Sequence, residues 1–237
     1  MRGVQLSFDD HRRRAGRGGP RIGAGRPRGR RSVVYHVRRD PLPAECPVHV
    51  TLRVRAGMGS LRTHTFVRVL KASLREARDR ARVTHFSVQR DHLHLILEAA
   101  SKQALGSAMK SIAARVARAV NRVFRRRGAA LLGRYHVRAL RTPREVRNAL
   151  SYVLLNVRKH WAQKTGAPPP VKIDEASSGA WFNGWSRRLQ PLSSREPPCV
   201  APPRTWLLPV GWRRHGLIDP AEVPGRRSVL SRRVGCA

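Results

Sequence analysis

Two histidines one residue apart are the sharpest chemical feature of the sequence. His92-Leu93-His94 lies in a run of alternating polar and apolar residues, which is typical of a β-strand. Alternate residues of a strand project from the same face roughly 7 Å apart, so the two imidazoles could share one divalent cation. A triplet of this kind also occurs as two ordinary exposed strand histidines, and taken alone it leaves both interpretations open.

A tyrosine and an asparagine four residues apart form the second feature. Tyr152 and Asn156 lie in a segment with helical spacing of apolar residues, so we expect them on one helix face, one turn apart. That face is offset from the apolar stripe of the helix. The alternative is structural: Tyr152 flanks an amphipathic helix and Asn156 is a solvated polar group.

The elements that must position these residues follow from hydrophobic periodicity. Period-2 alternation predicts strands and period-3.6 spacing predicts helices, and Thr142-Pro143 with Glu145 is typical of a helix start. In chain order the predicted elements are strand 48–55, helix 62–81, strand 83–89, strand 92–98, helix 102–126, strand 134–141 and helix 142–161. This β-α-β-β-α-β order with an added helix predicts an α+β fold of the ferredoxin-like, split βαβ kind, with helices on one sheet face.

The other sheet face is predicted to be polar. Because the leucine and valine positions alternate with histidine, arginine and glutamine, we expect an open face that suits a nucleic acid strand better than a core. Its members are His49, Arg53, His85, Gln89, His92 and His94.

Together the two chemical features resemble a known family. The strand Gln89-Arg90-Asp91-His92-Leu93-His94 and the helix segment Ala149-Leu150-Ser151-Tyr152-Val153-Leu154-Leu155-Asn156 are similar to the motifs of the HUH single-tyrosine transposases of bacterial insertion sequences. The similarity is greatest to the REP-associated tyrosine transposases, in which asparagine follows the tyrosine by four residues. Segments 133–136 and 47–53 also match, so the resemblance spans about residues 47–161.

The resemblance implies a transposase that cleaves and rejoins single-stranded, hairpin-containing DNA. It implies that His92, His94 and Asn156 bind Mg²⁺ or Mn²⁺, and that Tyr152 attacks the scissile phosphate to leave a 5′-phosphotyrosine and a free 3′-hydroxyl. A nearby cation lowers the pKa of a phenol and offsets charge on the phosphate, which makes this chemistry reasonable. The sequence departs from the family where proline often follows the asparagine, since Val157 stands there.

Other residues compete for the same roles. His49 and His85 are rival metal ligands, although phosphate contacts suit them better, and Tyr135 is the rival nucleophile. A non-cleaving DNA- or RNA-binding descendant of such a transposase is the main alternative function. An RNA-recognition module would instead place aromatic residues on the central strands, where this sequence has His, Arg, Ser and Gln.

The charge of the chain favours a polyanionic partner. Lys and Arg number 49 against 14 Asp and Glu, for a net charge of +35, and neutralising phosphates with counterion release favours clustered arginine. A membrane partner is disfavoured because no stretch approaches 18 consecutive apolar residues. Between Ala99 and Arg144 there are twelve Lys or Arg and no acid. We expect DNA-backbone contacts from the sheet residues His49 and Arg53 and from the basic positions Arg125, Arg126, Arg127 and Arg134.

Composition predicts three regions. Residues 1–45 form a basic arm without hydrophobic period, in which Arg26-Pro27-Arg28-Gly29-Arg30 resembles an AT-hook for A/T-rich minor grooves, with generic basic-tail binding as the alternative. Residues 46–164 form the catalytic domain. Residues 165–237 form an extension rich in Pro and Trp, expected to pack partly on the core.

The remaining expectations concern the setting of the protein. Three widely spaced cysteines fit a reducing cytosol, and no apolar segment follows the basic N-terminus as in a secretory signal. We therefore expect a cytoplasmic, nucleoid-associated bacterial protein, either a monomer or a homodimer.

Overall fold

The structure is a computed structural model that describes residues 41–77, 82–167, 169–187 and 197–225. The predicted arm, with Arg26, Arg28 and Arg30, lies outside the described residues up to position 40. Across the described residues, no helix is both long enough and apolar enough to span a membrane.

The described chain forms one antiparallel sheet with four α-helices. In chain order the elements are β1 (Val48–Arg53), α1 (His64–Ala77), β2 (Val83–Val88), β3 (His92–Leu97), α2 (Lys102–Val123), β4 (His136–Ala139), α3 (Pro143–Leu154) and α4 (Asn156–Thr165), followed by 3₁₀ turns at Gly179–Trp181 and Gly211–His215. The strand order is β2-β3-β1-β4, and every neighbouring pair is antiparallel. This is the split βαβ arrangement, so the predicted ferredoxin-like α+β fold is confirmed.

The aliphatic face of the sheet forms the main core with α1 and α2. Residues at alternate positions of the strands, such as Val50, Leu52 and Leu93, point into this core and are almost fully buried. The helices contribute their predicted stripes, including Phe66 of α1 and Met109 of α2. The apolar residues spaced by two in the strands and by 3.6 in the helices therefore pack together on one side of the sheet, as predicted.

The opposite face is not open, and this expectation was wrong. Ile96 of β3 packs there with Val146 and Leu150 of α3 and with Trp212 of the extension, and these residues form a second core. Three of the residues assigned to the open face, His85, Gln89 and His94, are only 8%, 4% and 4% exposed. Strand alternation defines which residues share a face, but it carries no information about which segment covers that face.

The extension also covers the outer edge of the sheet. The Val88 amide donates to the Ala176 carbonyl at 2.8 Å and the Ser178 amide donates to the Phe86 carbonyl at 2.9 Å, while the Ala201 amide donates to the Val83 carbonyl. These bonds satisfy backbone groups of β2 that an edge strand otherwise presents to solvent or to another chain. The extension is thus part of the folded unit.

The predicted helix 142–161 is two helices. Its start is as predicted, with Thr142 and Glu145 in a reciprocal capping box and Pro143 at the first position. The helix ends at Leu154, because Leu155 leaves helical geometry (φ −111°, ψ 15°), and α4 begins at Asn156. The guanidinium of Arg158, buried in α4, donates to the carbonyls of Pro170, Ala221 and Glu222. These long-range partners hold α4 in its own direction, which local periodicity could not predict.

Candidate active site

Three histidines of β1 and β3 form one cluster on the covered face. Register pairs Thr51 with His94 and Arg53 with His92. The Nε2 atoms of His92 and His94 are 3.0 Å apart. Nδ1 of His94 lies 3.1 Å from Nε2 of His49 and 3.2 Å from the Thr51 hydroxyl. The antiparallel pair β1–β3 therefore concentrates imidazole nitrogens around the start of β3.

A carboxylate orients the outer histidine. Oδ1 of Asp91 lies 2.7 Å from Nδ1 of His92, so Nδ1 donates its proton to the carboxylate and Nε2 faces His94. Carboxylate–histidine pairs of this kind orient the ligands of many metal sites. Either a proton or a cation between the two Nε2 atoms satisfies the arrangement. A separation of 3.0 Å suits adjacent ligands of an octahedral cation with bonds of about 2.1 Å.

The buried imidazoles are neutral at physiological pH. Burial, reinforced by the neighbouring His49, His92, His160 and Arg53, lowers the pKa of His94 from the usual 6.5 to about 3. Burial, with His136 and Arg138, lowers the pKa of His49 to about 4. Neutral imidazole is the form that coordinates metals. Burial alone would raise the pKa of Asp91, but hydrogen bonding to His92 and the charges of His92 and Arg53 outweigh it, and that pKa falls below its ordinary value.

Tyr152 packs directly against this cluster. Its ring makes edge contacts with His94 at a centroid distance of 5.0 Å and with His49 at 5.9 Å. The Lys159 ammonium lies 4.9 Å from the centroid of the same ring. Tyr152 is half-buried, on the side of α3 next to the second core. A phenol and several neutral imidazoles thus share one partly enclosed space.

Asn156 is the first residue of α4, and its environment is unusual. The residue has no exposed surface, and neither its amide nitrogen nor its amide oxygen has a hydrogen-bond partner. The solvated alternative for Asn156 is therefore wrong, and a helix break at Leu155 separates it from Tyr152. No hydrogen bond joins Asn156 to the histidines. Burying an amide without hydrogen-bond partners lowers stability by about 1–3 kcal/mol. The Asn156 side chain is therefore free to bind a group that the described residues do not supply.

Conventional ligands are few around the cluster. In the described ranges, no three His, Cys, Asp or Glu side chains are placed to hold one metal ion. A cation bound by His92 and His94 would therefore need oxygen ligands from an amide, water or substrate. Such mixed coordination is ordinary for Mg²⁺ and Mn²⁺ beside phosphates.

The other predicted residues are distributed around the cluster or away from it. Arg53 is exposed, with its Nε 3.9 Å from Asp91. The basic positions 125–134 follow α2, where Arg125, Arg127 and Arg134 are exposed and Arg126 is half-buried. The rival nucleophile Tyr135 packs against the main core on the opposite face of the sheet.

The rival ligand His85 is buried beneath the extension. Nδ1 of His85 lies 3.3 Å from the Ser178 hydroxyl, and the ring contacts Phe182. Burial lowers the pKa of His85 to about 4. His85 is thus a core histidine covered by residues that the sequence did not connect to it.

Sequence reasoning missed three members of the cluster. Asp91 adjoins His92, and the pairing register places Thr51 opposite His94, so both could have been found from the predicted hairpin and strand order. Lys159 could not, because the break at Leu155 determines where its side chain lies.

Comparisons with known proteins give similarities of low identity. No family model matches the chain, and no curated protein matches it. Among solved structures, a REP-associated tyrosine transposase bound to a REP hairpin is 18% identical, with a TM-score of 0.43, covering 54% of this chain and 74% of that one. A bacterial tRNA(His) guanylyltransferase (Thg1)-like protein in complex with GTP is 13% identical, with a TM-score of 0.40, covering 54% and 70%.

Proposed function

We propose that this protein is a metal-dependent tyrosine transposase that cleaves and rejoins single-stranded DNA through Tyr152. The observation that carries the proposal is the packing of the Tyr152 ring against His94, whose Nε2 faces Nε2 of His92 at 3.0 Å. A nucleophile and a pair of imidazoles that can bind a cation, together in one space, are the parts that phosphodiester transfer to tyrosine requires.

The residues present fit a divalent cation. His92 and His94 would hold it through Nε2, and the unpaired amide of Asn156 is the candidate third ligand. When bound, Mg²⁺ or Mn²⁺ supplies charge that polarises the scissile phosphate and favours ionisation of a nearby phenol. Asp91 keeps the His92 ring oriented, while Thr51 and His49 hold Nδ1 of His94.

The reaction balances without a nucleotide cofactor. The Tyr152 oxygen forms a bond to phosphorus and releases its proton to solvent. The bond from phosphorus to the 3′-oxygen breaks, and that oxygen takes up a proton to become a 3′-hydroxyl. Because the phosphotyrosine keeps the energy of the phosphodiester, attack by a 3′-hydroxyl reverses the step and rejoins the strand.

Two basic residues beside the histidine cluster suit this reaction. The Lys159 ammonium lies 4.9 Å from the centroid of the Tyr152 ring and places positive charge beside the nucleophile, where negative charge develops on the phosphate. The exposed Arg53 lies on the strand that pairs with the histidine strand, where it suits a phosphate of the bound DNA. Further along the substrate, Arg125, Arg127 and Arg134 would contact backbone phosphates. Binding of A/T-rich duplex by Arg26, Arg28 and Arg30 is a separate proposal for the arm.

The experiment is capture of the covalent intermediate. The full chain is incubated with a pool of labelled single-stranded hairpins and Mn²⁺, and a denaturing gel separates protein–DNA adducts. We expect an adduct with the wild type and none with Tyr152→Phe, because the substitution removes one oxygen and preserves ring packing. DNA affinity should stay within a few-fold.

Tyr135→Phe is the matched control, since it also removes one phenolic oxygen but lies on the opposite sheet face. It should form as much adduct as the wild type. An adduct that persists in Tyr152→Phe contradicts the mechanism. Hairpin binding without any adduct in the wild type would instead favour a non-cleaving DNA-binding protein.

A further inference from the structure

The extension carries an exposed tryptophan that the proposed cleavage reaction does not use. Trp206 is 47% exposed, and Val210, one turn later, is 52% exposed. The Val210 amide donates to the Trp206 carbonyl, so the two side chains belong to one turn. The guanidinium of Arg214 lies 4.8 Å from the Trp206 ring centroid. We call Arg204, Trp206, Val210 and Arg214 the Trp206 surface.

The backbone beneath this surface is firmly held. The Glu98 carboxylate accepts hydrogen bonds from the amides of Arg204 and Thr205 and from the Thr205 hydroxyl, and it also pairs with Arg82. Glu98 is only 6% exposed. A buried carboxylate with several donors fixes a loop strongly, so Trp206 is presented by an ordered segment.

The packing of Trp206 requires glycine at position 211. A Cβ atom placed on Gly211 would lie 2.7–3.0 Å from three carbons of the Trp206 ring, closer than real Cβ contacts. Glycine at this position lets the indole rest against the backbone while nearly half of the residue stays exposed. An exposed tryptophan that is held in one position by packing has lost conformational freedom before a ligand binds, and this lowers the entropic cost of binding.

The charge around Trp206 identifies the kind of ligand. Residues 197–215 include Arg204, Arg213 and Arg214 and contain no Asp or Glu. Nucleobases stack on exposed aromatic rings while arginines meet the adjoining phosphates, a combination found where proteins hold single strands. Duplex DNA keeps its bases stacked inside and cannot use the indole in this way.

The position of the surface relates it to the candidate active site. Glu98 follows β3, the strand that carries His92 and His94, and four residues of strand separate His94 from Glu98 by about 13 Å. The 3₁₀ turn Gly211–His215 packs against α3, the helix that bears Tyr152. The Trp206 surface therefore lies within reach of a strand held at the histidines.

We propose that the Trp206 surface binds an unstacked base of single-stranded DNA flanking the cleavage position. The base stacks on the indole in the place of the Arg214 guanidinium, which now lies 4.8 Å from the ring centroid. Arg214 then pairs with a neighbouring phosphate, as does Arg204. This inference rests on the proposed function for its choice of DNA, and it assigns a substrate-holding role to the extension.

The test is binding of a fluorescein-labelled oligothymidylate to the full chain in EDTA, where metal-dependent cleavage does not occur. Salt is kept at about 0.3 M so that non-specific charge attraction is weakened. We expect Trp206→Ala to lower affinity about tenfold, since stacking of one base contributes about 1–3 kcal/mol, and Trp206→Phe to retain most of it. Trp161→Ala removes a tryptophan that is 50% exposed and should bind like the wild type.

Two further readouts keep the result unambiguous. Oligothymidylate should quench tryptophan fluorescence in the wild type and in Trp161→Phe, with the saturable part lost in Trp206→Phe. Gly211→Ala keeps the indole but displaces it, and should weaken binding as well. Unchanged affinity in Trp206→Ala, or unchanged quenching in Trp206→Phe, overturns the proposal, as does an equal loss of affinity for duplex DNA. Absence of a Tyr152 adduct despite normal oligothymidylate binding would instead contradict only the cleavage function.

Discussion

Asn156 departs from the rule that buried polar groups are hydrogen-bonded. Both of its side-chain atoms are unpaired although the residue has no exposed surface. Folding alone would favour an apolar residue of similar size at this position, because replacing an unpaired buried amide removes its desolvation cost. An asparagine at this position makes sense if its amide is a ligand for a cation, with a loss of stability when no cation is bound.

Asn156→Leu is therefore expected to separate stability from metal binding. The variant should be more stable to urea by about 1 kcal/mol, since the desolvation cost disappears at nearly constant volume. It should bind Mn²⁺ more weakly in a calorimetric titration and form less covalent adduct. Asn148→Leu, an exposed asparagine of α3, is the control and should leave Mn²⁺ affinity unchanged. Lower stability with unchanged Mn²⁺ binding would show Asn156 to be purely structural.

The elements were predictable to the extent that local patterns determine them. Alternation gave the four strands, and the capping residues Thr142, Pro143 and Glu145 gave the start of α3. The break at Leu155 was not predictable, because the carbonyls that hold Arg158 come from residues 170, 221 and 222. The site was predictable where it depends on strand register, as for His92 and His94. The surroundings of His85 were not predictable, because they depend on which segment covers that face of the sheet.

The extension stabilises the second core through close aromatic packing. Trp212 is 1% exposed and its ring lies 5.5 Å from the Phe182 ring, centroid to centroid. Gly184 lies between them, and a Cβ there would overlap both rings. Its carbonyl also accepts a hydrogen bond from the Ile218 amide. The packing of the extension on the second core therefore depends on glycine at position 184.

Gly184→Ala should lower the free energy of unfolding by about 1–3 kcal/mol, because an added methyl group forces the packed rings apart. Urea unfolding followed by circular dichroism measures the change. Gly106→Ala is a control of opposite sign. Gly106 lies within α2 with open space around it, so alanine there should stabilise the helix by about 0.5–1 kcal/mol. Equal stability of Gly184→Ala and the wild type would contradict the packing argument.

The whole molecule should lose stability in mild acid. His85 is buried, and burial lowers its pKa to about 4, whereas in the unfolded chain the pKa is near 6.5. Between these values the unfolded chain binds a proton that the folded chain does not, so stability falls as the pH drops from about 6.5 towards 4. The shift corresponds to about 3 kcal/mol for His85.

The measurement is urea unfolding in EDTA at several pH values between 7 and 4. His85→Gln should flatten the pH dependence by about 3 kcal/mol over this range, because glutamine does not titrate. His49 and His94 remain in the variant, and their lowered pKa values leave part of the slope in place. An unchanged slope in His85→Gln would mean that His85 binds its proton equally readily in the folded and unfolded chains, which contradicts the prediction.

The covered edge of β2 has a consequence for synthesis on the ribosome. The groups that pair with Phe86, Val88 and Val83 come from residues 176, 178 and 201, about a hundred positions later in the chain. Until those residues emerge, the nascent domain presents a strand with unpaired amides and carbonyls, which is a template for pairing with another chain. Such long sequence separations also slow folding. Slow translation or stalling between residues 90 and 200 should therefore expose the chain to aggregation and increase its need for chaperones.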